Sequence, residues 1–177
     1  MPGAPVLNIL DPSNWPVGPT RFCLYGGPGA GKSTAFGDLY GALKRAKRRA
    51  EVVPERIKEF AYRGLVPTPA DRVRFFSDGW AAELAYANLG LDVVTDSPLW
   101  LDCYYIREDA HPLLAQLEAV ARRMDELFGT LHVFMVRRHS YDPVGRYQDE
   151  AAAIEVDRRM KDYLTEKGVT FIEGYAD

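Results

Sequence analysis

Apolar positions along the chain fall into short runs that alternate with longer stretches of helical spacing. Arg21 to Tyr25, Ala50 to Pro54, Leu91 to Thr95, Leu131 to Val136 and Val169 to Ile172 have the length and composition of buried strands. Thr34 to Lys47, Arg56 to Arg63, the long pattern through Val73 to Leu89, Pro112 to Phe128 and Asp149 to Lys167 read as helices. Val73, Phe76, Trp80, Leu84, Ala87 and Leu89 lie close to one 3.6-residue stripe, which makes Trp80 a core residue in preference to a base-stacking one. Gly64, Gly90 and Gly168 stop helices. Strands alternating with helices predict an α/β fold, a three-layer sandwich in which a five-stranded parallel sheet carries helices on both faces. Residues 1–20 hold five prolines and read as an irregular N-terminal arm, with Trp15 plugging the core in preference to stacking on a base; residues 21–177 then form a single domain.

Composition narrows the picture. At 47% hydrophobic and 27% charged residues, with a formal net charge of −3, the chain has the make-up of a globular protein and no overall bias toward nucleic acid. No apolar stretch is long enough to cross a membrane and no signal peptide opens the chain, so a cytoplasmic protein is expected. Cys23 and Cys103 sit in apolar or aromatic surroundings and read as buried free thiols. Lys44 to Arg49 places five cations in six residues, read as the solvated end of a helix before a polyanion-binding patch.

The chemistry concentrates after the first strand. Gly26, Gly31, Lys32 and Ser33 fit the phosphate-binding pattern G-x-x-x-x-G-K-[ST] without a mismatch, and a strand precedes and a helix follows it. Backbone N–H groups of such a loop converge on an anion, and the first turn of the helix adds its partial positive charge. Gly27, Gly29, Ala30, Gly31, Lys32, Ser33 and Thr34 are therefore the expected nucleotide-binding residues, with Lys32 reaching the β- and γ-phosphates of ATP and the Ser33 hydroxyl holding Mg²⁺.

Ligands of parallel sheets sit at the carboxyl ends of the strands, and that rule gathers Glu55, Asp96 and Arg137-Arg138 around the same crevice. Asp96 ends an apolar strand, as a Walker B acid does, and serves either the metal or the proton of an acceptor hydroxyl; Glu55 is the other candidate base. Which acid does which is open at this point. Arg138 and Arg146 belong to a polar loop, about residues 138–149, whose arginines suit spread phosphoryl charge and which could close over the nucleotide. Arg63, Asp71, Asp78 and Trp80 are candidates for the acceptor side, and Arg72, Arg74, Arg122 and Arg123 for added DNA contacts.

On these residues the chain resembles the small P-loop kinases of the nucleoside and nucleotide kinase fold, from about Arg21 to Gly174. The motifs at Gly26 to Thr34, Thr95 to Leu99 and Tyr141 to Arg146 resemble bacteriophage proteins described as AAA-like ATPases or nucleotide kinases, and the last two are also similar to the ribosylnicotinamide kinase domain. The resemblance implies strand order 2-3-1-4-5, an ATP- and Mg²⁺-dependent kinase and a nucleoside-like acceptor. Its most specific implication is the 5-hydroxymethyluracil base within phage DNA. The alternatives are a nucleoside or nucleoside monophosphate kinase and a partner-stimulated NTPase switch.

Overall fold

Arg21–Tyr25, the second strand in chain order (β2), lies in the middle of the sheet, and all five of its residues are buried. The structure, a computed structural model, describes residues 6–138 and 150–176. On one side β2 pairs with β4 (Asp92–Thr95) and β4 with β3 (Ala50–Val53); on the other it pairs with β5 (Thr130–Met135) and β5 with β6 (Ile172–Tyr175). Every pairing is parallel, with Cys23 opposite both Thr95 and His132.

The five-strand expectation needs correction. Leu7–Asn8 in the arm forms a further strand, β1, parallel to β6, so the sheet has six strands and its full order is β3-β4-β2-β5-β6-β1. A two-residue strand has no periodicity to read and is held by what surrounds it: Ile9, just beyond it, is 2% exposed against the core. The rest of the arm is tied down by side chains. Trp15 Nε1 donates to the Ile9 carbonyl at 2.7 Å, and Arg48 donates to the carbonyls of Pro16 and Gly18 while lying over the Trp15 ring.

Helix α1 (Lys32–Arg45) buries Ala35, Leu39 and Leu43 against one face of the sheet, on Phe22, Leu24, Val94 and Val133. A short helix α2 (Ile57–Tyr62) buries nothing fully, and α3 (Pro69–Asn88) opens with a reciprocal Thr68–Asp71 capping box. With α4 (Leu99–Glu108), α5 (Leu114–Leu127) and α6 (Glu150–Glu166), α3 supplies the core on the other face, around Trp100, Tyr104, Met124, Met160 and Tyr163. The three-layer expectation holds. Trp80 departs from it: at 38% exposed it is not a core residue, because Phe76 and Glu83 are the fully buried positions of α3.

The reason lies at the start of β2. Arg21, 2% exposed, donates to Glu83 Oε2 from Nε (3.0 Å) and Nη2 (2.6 Å), and to Asp125 and Thr130 from Nη1. Glu83 thus turns the helix toward the sheet by charge as well as by apolar burial. Cys23 and Cys103 are free and buried. Lys44 pairs with Glu51 and Arg48 with Asp92, as for a helix end.

Candidate functional site

The loop between β2 and α1 takes a shape only glycine tolerates at its key points. Gly26 (φ 138°), Gly29 (79°) and Gly31 (85°) all have left-handed or mirror-region backbones, and a Cβ on Gly26 would lie 2.7 Å from that of Ala30. Gly27 is glycine for a different reason: a Cβ there would sit 2.9 Å from the Ala153 carbonyl oxygen on α6. Lys32 folds back over the loop, its Nζ donating to the Gly26 carbonyl at 2.6 Å.

The loop is fastened to α6 by groups that neighbour it only in space. Asp157 accepts from the Gly27 N–H through Oδ1 and from Arg137 Nε at 2.6 Å through Oδ2. Arg137 also donates to the carbonyls of Pro28 (2.9 Å) and Ala153 (3.2 Å). Arg137, expected beside the phosphates, thus makes contact with the loop's backbone, while the exposed Arg138 lies over the Tyr175 ring, 4.1 Å from its centroid. Arg146 and the Tyr141 to Arg146 motif lie outside the described residues.

The strand-end acids meet at the opposite side of the loop. Asp96, 1% exposed, accepts the Glu55 backbone N–H at 2.7 Å through Oδ1, and its Oδ2 lies 3.4 Å from the Ser33 hydroxyl. Lys58, which sequence reasoning missed, donates to Asp96 Oδ2 at 3.0 Å and to Ser33 Oγ, and lies 3.8 Å from Glu55 Oε2. Its one sequence signal was its spacing: three residues after Glu55, at the opening of a helix, it shares that residue's side. Burial raises the Glu55 carboxyl above its ordinary range; the nearby Lys32 opposes this and Asp96 adds to it.

A cavity of about 470 Å³ joins these groups, lined by Pro28 to Thr34, by Glu55 and Lys58, and on its far wall by Val66, Arg72 and Tyr105. Arg72 pairs with Asp109 at 2.6 Å and lies over the Tyr105 ring, 5.2 Å from its centroid. Glu55, Arg72 and Tyr105 also border a smaller recess, where Ser97 donates to Asp102 at 3.1 Å and burial pushes the Asp102 carboxyl well up. Of the residues expected on the acceptor side, Asp78 lines an adjoining groove of about 190 Å³, Arg63 pairs with Glu59 and Asp71 caps α3.

A hydroxyl and a carboxylate 3.4 Å apart are hard oxygen ligands of the kind Mg²⁺ takes, and the cationic Lys58 already draws on both. Among the described residues no group of three or more His, Cys, Asp or Glu could hold a metal ion. Ser33 and Asp96 would hold Mg²⁺ only together with oxygens brought by a bound ligand.

A protein-family model described as an AAA domain matches residues 21–175. Among solved structures, the crystal structure of APE1195 aligns with a TM-score of 0.49 and 19% identity, over 90% of this chain and 85% of that one. The Mycobacterium tuberculosis APS kinase CysC aligns in two forms. A cysteine-to-alanine mutant gives 0.46 and 18% identity over 85% and 99% of the two chains. The complex with AMPPNP and APS gives 0.47 and 18% over 92% and 82%. Comparison with curated proteins finds no match.

Proposed function

The chain belongs to the AAA domain family, and from that premise and the site's geometry we propose that it is an ATP- and Mg²⁺-dependent phosphotransferase acting on the hydroxyl of a nucleoside-like acceptor. One observation carries the reading. The cavity lined by the phosphate loop is lined as well by the largely enclosed carboxylate of Glu55, by Arg72 and by Tyr105. Groups beyond the phosphate loop, a carboxylate and an aromatic ring among them, line the same cavity, as an acceptor substrate would require and a lone water would not.

In this mechanism Lys32 exchanges the Gly26 carbonyl for the β- and γ-phosphate oxygens, and the amides of Gly29 to Thr34 hold the triphosphate. Mg²⁺, held at Ser33 and Asp96, would supply neutralisation of the phosphate charge. Glu55 takes the proton of the acceptor hydroxyl as that oxygen bonds to the γ-phosphorus and the bond to the ADP oxygen breaks. A carboxylate whose proton affinity is raised by burial suits that task. Arg138 and Arg146 are assigned to the phosphoryl charge, and Tyr105, whose ring already carries Arg72, to the wall on the acceptor side.

A hydroxymethyluracil base in DNA as acceptor calls for cations beside the site, and the densest run of them is Lys44 to Arg49. They lie at the far end of α1, about 20 Å from Lys32 at 1.5 Å per residue. A free nucleoside-like molecule fits the site better. The test measures labelled γ-phosphate transfer to nucleosides, nucleoside monophosphates and hydroxymethyluracil-containing DNA. Transfer to the free compounds, abolished in Lys32→Ala, is expected. Transfer to DNA alone restores the phage-type acceptor. Release of free phosphate alone, stimulated by a partner, makes the protein an NTPase switch.

A further inference from the structure

Among the described residues, Lys58 is the one cation whose side chain touches both groups that the proposed reading assigns to Mg²⁺. It donates to Ser33 Oγ and, at 3.0 Å, to Asp96 Oδ2, with Glu55 Oε2 3.8 Å away. Asp96 is nearly sealed from water, 2% exposed at its side chain, so its charge needs a partner there. Lys58 itself is 41% exposed and sits on α2, a helix with no buried residue, tied to α3 through Phe60 edge-on to Phe75. Few contacts hold it in place. The ammonium and a divalent ion cannot occupy the gap between a hydroxyl and a carboxylate 3.4 Å apart at the same time.

We propose that Lys58 is a resident cation that neutralises the Ser33–Asp96 pair until nucleotide arrives, then gives up that place to Mg²⁺ carried in with the triphosphate. The inference rests on the reading of the loop as a triphosphate site and adds how that site is charged before and after loading. It assigns Lys58 a positioning role: the exchange moves the first turn of α2, and Glu55 beside it, only when the metal is present. Metal-free nucleotide would meet a site whose cation is already supplied. Metal-bound nucleotide must displace it.

A thermodynamic cycle tests this. The affinity of a non-hydrolysable ATP analogue is measured by calorimetry with Mg²⁺ and with excess EDTA, for wild type, Lys58→Met and Lys58→Arg. Removing the resident charge should weaken metal-free binding by about tenfold, the scale of one charge-assisted hydrogen bond. Metal-bound affinity should stay level or rise up to about threefold, so that the Mg²⁺ dependence of binding grows by at least tenfold in Lys58→Met. Lys58→Arg, which keeps the charge, should bind the metal-free analogue about as wild type does. Equal losses with and without Mg²⁺ would make Lys58 an ordinary phosphate ligand and overturn the proposal. So would a Lys58→Arg variant that behaves like Lys58→Met. A wild-type protein that binds no analogue at all defeats the triphosphate reading itself, a different result from either.

Discussion

Asp157 gives the sharpest test of how the phosphate loop is kept in shape. Its carboxylate holds the Gly27 N–H and Arg137 Nε at once, and both side chains of the ion pair are largely enclosed, at 15% and 17% exposure. Breaking a buried pair from one side costs about 3–5 kcal/mol, because a charge is left behind. Here Arg137 keeps the carbonyls of Pro28 and Ala153, and some water reaches it, so the figure falls to about 2–3 kcal/mol for Asp157→Leu. Asp157→Asn keeps an acceptor for Gly27 and should lose about 1 kcal/mol. Urea unfolding of the two variants, of Arg137→Met and of the double mutant measures these values. The double mutant should lose less than the sum of the single changes by about 1–2 kcal/mol, since the two groups share one interaction. Binding of the ATP analogue to the folded variants then isolates the loop, and a loss of about tenfold in Asp157→Leu is expected, equal to 1.4 kcal/mol. An Asp157→Leu protein that unfolds more easily yet binds nucleotide undiminished would refute the argument that this contact shapes the loop.

Two further outcomes follow from buried charge. Because burial holds the Glu55 carboxyl above its ordinary 4.5, the acid limb of the kcat/KM profile should lie above the usual glutamate range, with transfer lost as pH falls through it. Glu55→Gln should remove that limb and lower kcat by about 10²–10⁴, and a limb that persists in the variant places the base elsewhere. Glu83→Gln should destabilise the fold by about 3–5 kcal/mol in urea, because Arg21 loses the carboxylate that takes two of its hydrogen bonds at the centre of the sheet; a loss under about 1 kcal/mol would show that Asp125 suffices.

What the sequence made legible was local or periodic. The phosphate motif announces its own backbone through the spacing of Gly26, Gly31, Lys32 and Ser33, and Asp96 and Glu55 were found because strand ends converge in a parallel sheet. Contacts made by distant residues left no pattern. Nothing near Asp157 signals that an aspartate in the middle of α6 faces Gly27, 130 positions earlier. Nor does the sequence choose between Arg137 and Arg138, adjacent residues that point to different neighbours. The last strand was expected at Val169 to Ile172 and forms at Ile172–Tyr175, because the Val169 N–H still closes the end of α6 on the Leu164 carbonyl and pairing with β5 begins only at Ile172. Trp80 stays exposed because α3 turns Glu83, outside the apolar stripe, into the interior, where Arg21 pairs with it.

The family match starts at residue 21, yet the body that folds starts earlier. Leu7 and Asn8 pair with Gly174 and Tyr175 at the end of β6, and Trp15 and Arg48 strap the intervening chain down beside α1. What is shared with the family and what covers the end of β6 are therefore two different lengths of polypeptide, and the shorter one, taken alone, would leave its final strand as bare margin, open to whatever extended segment came by.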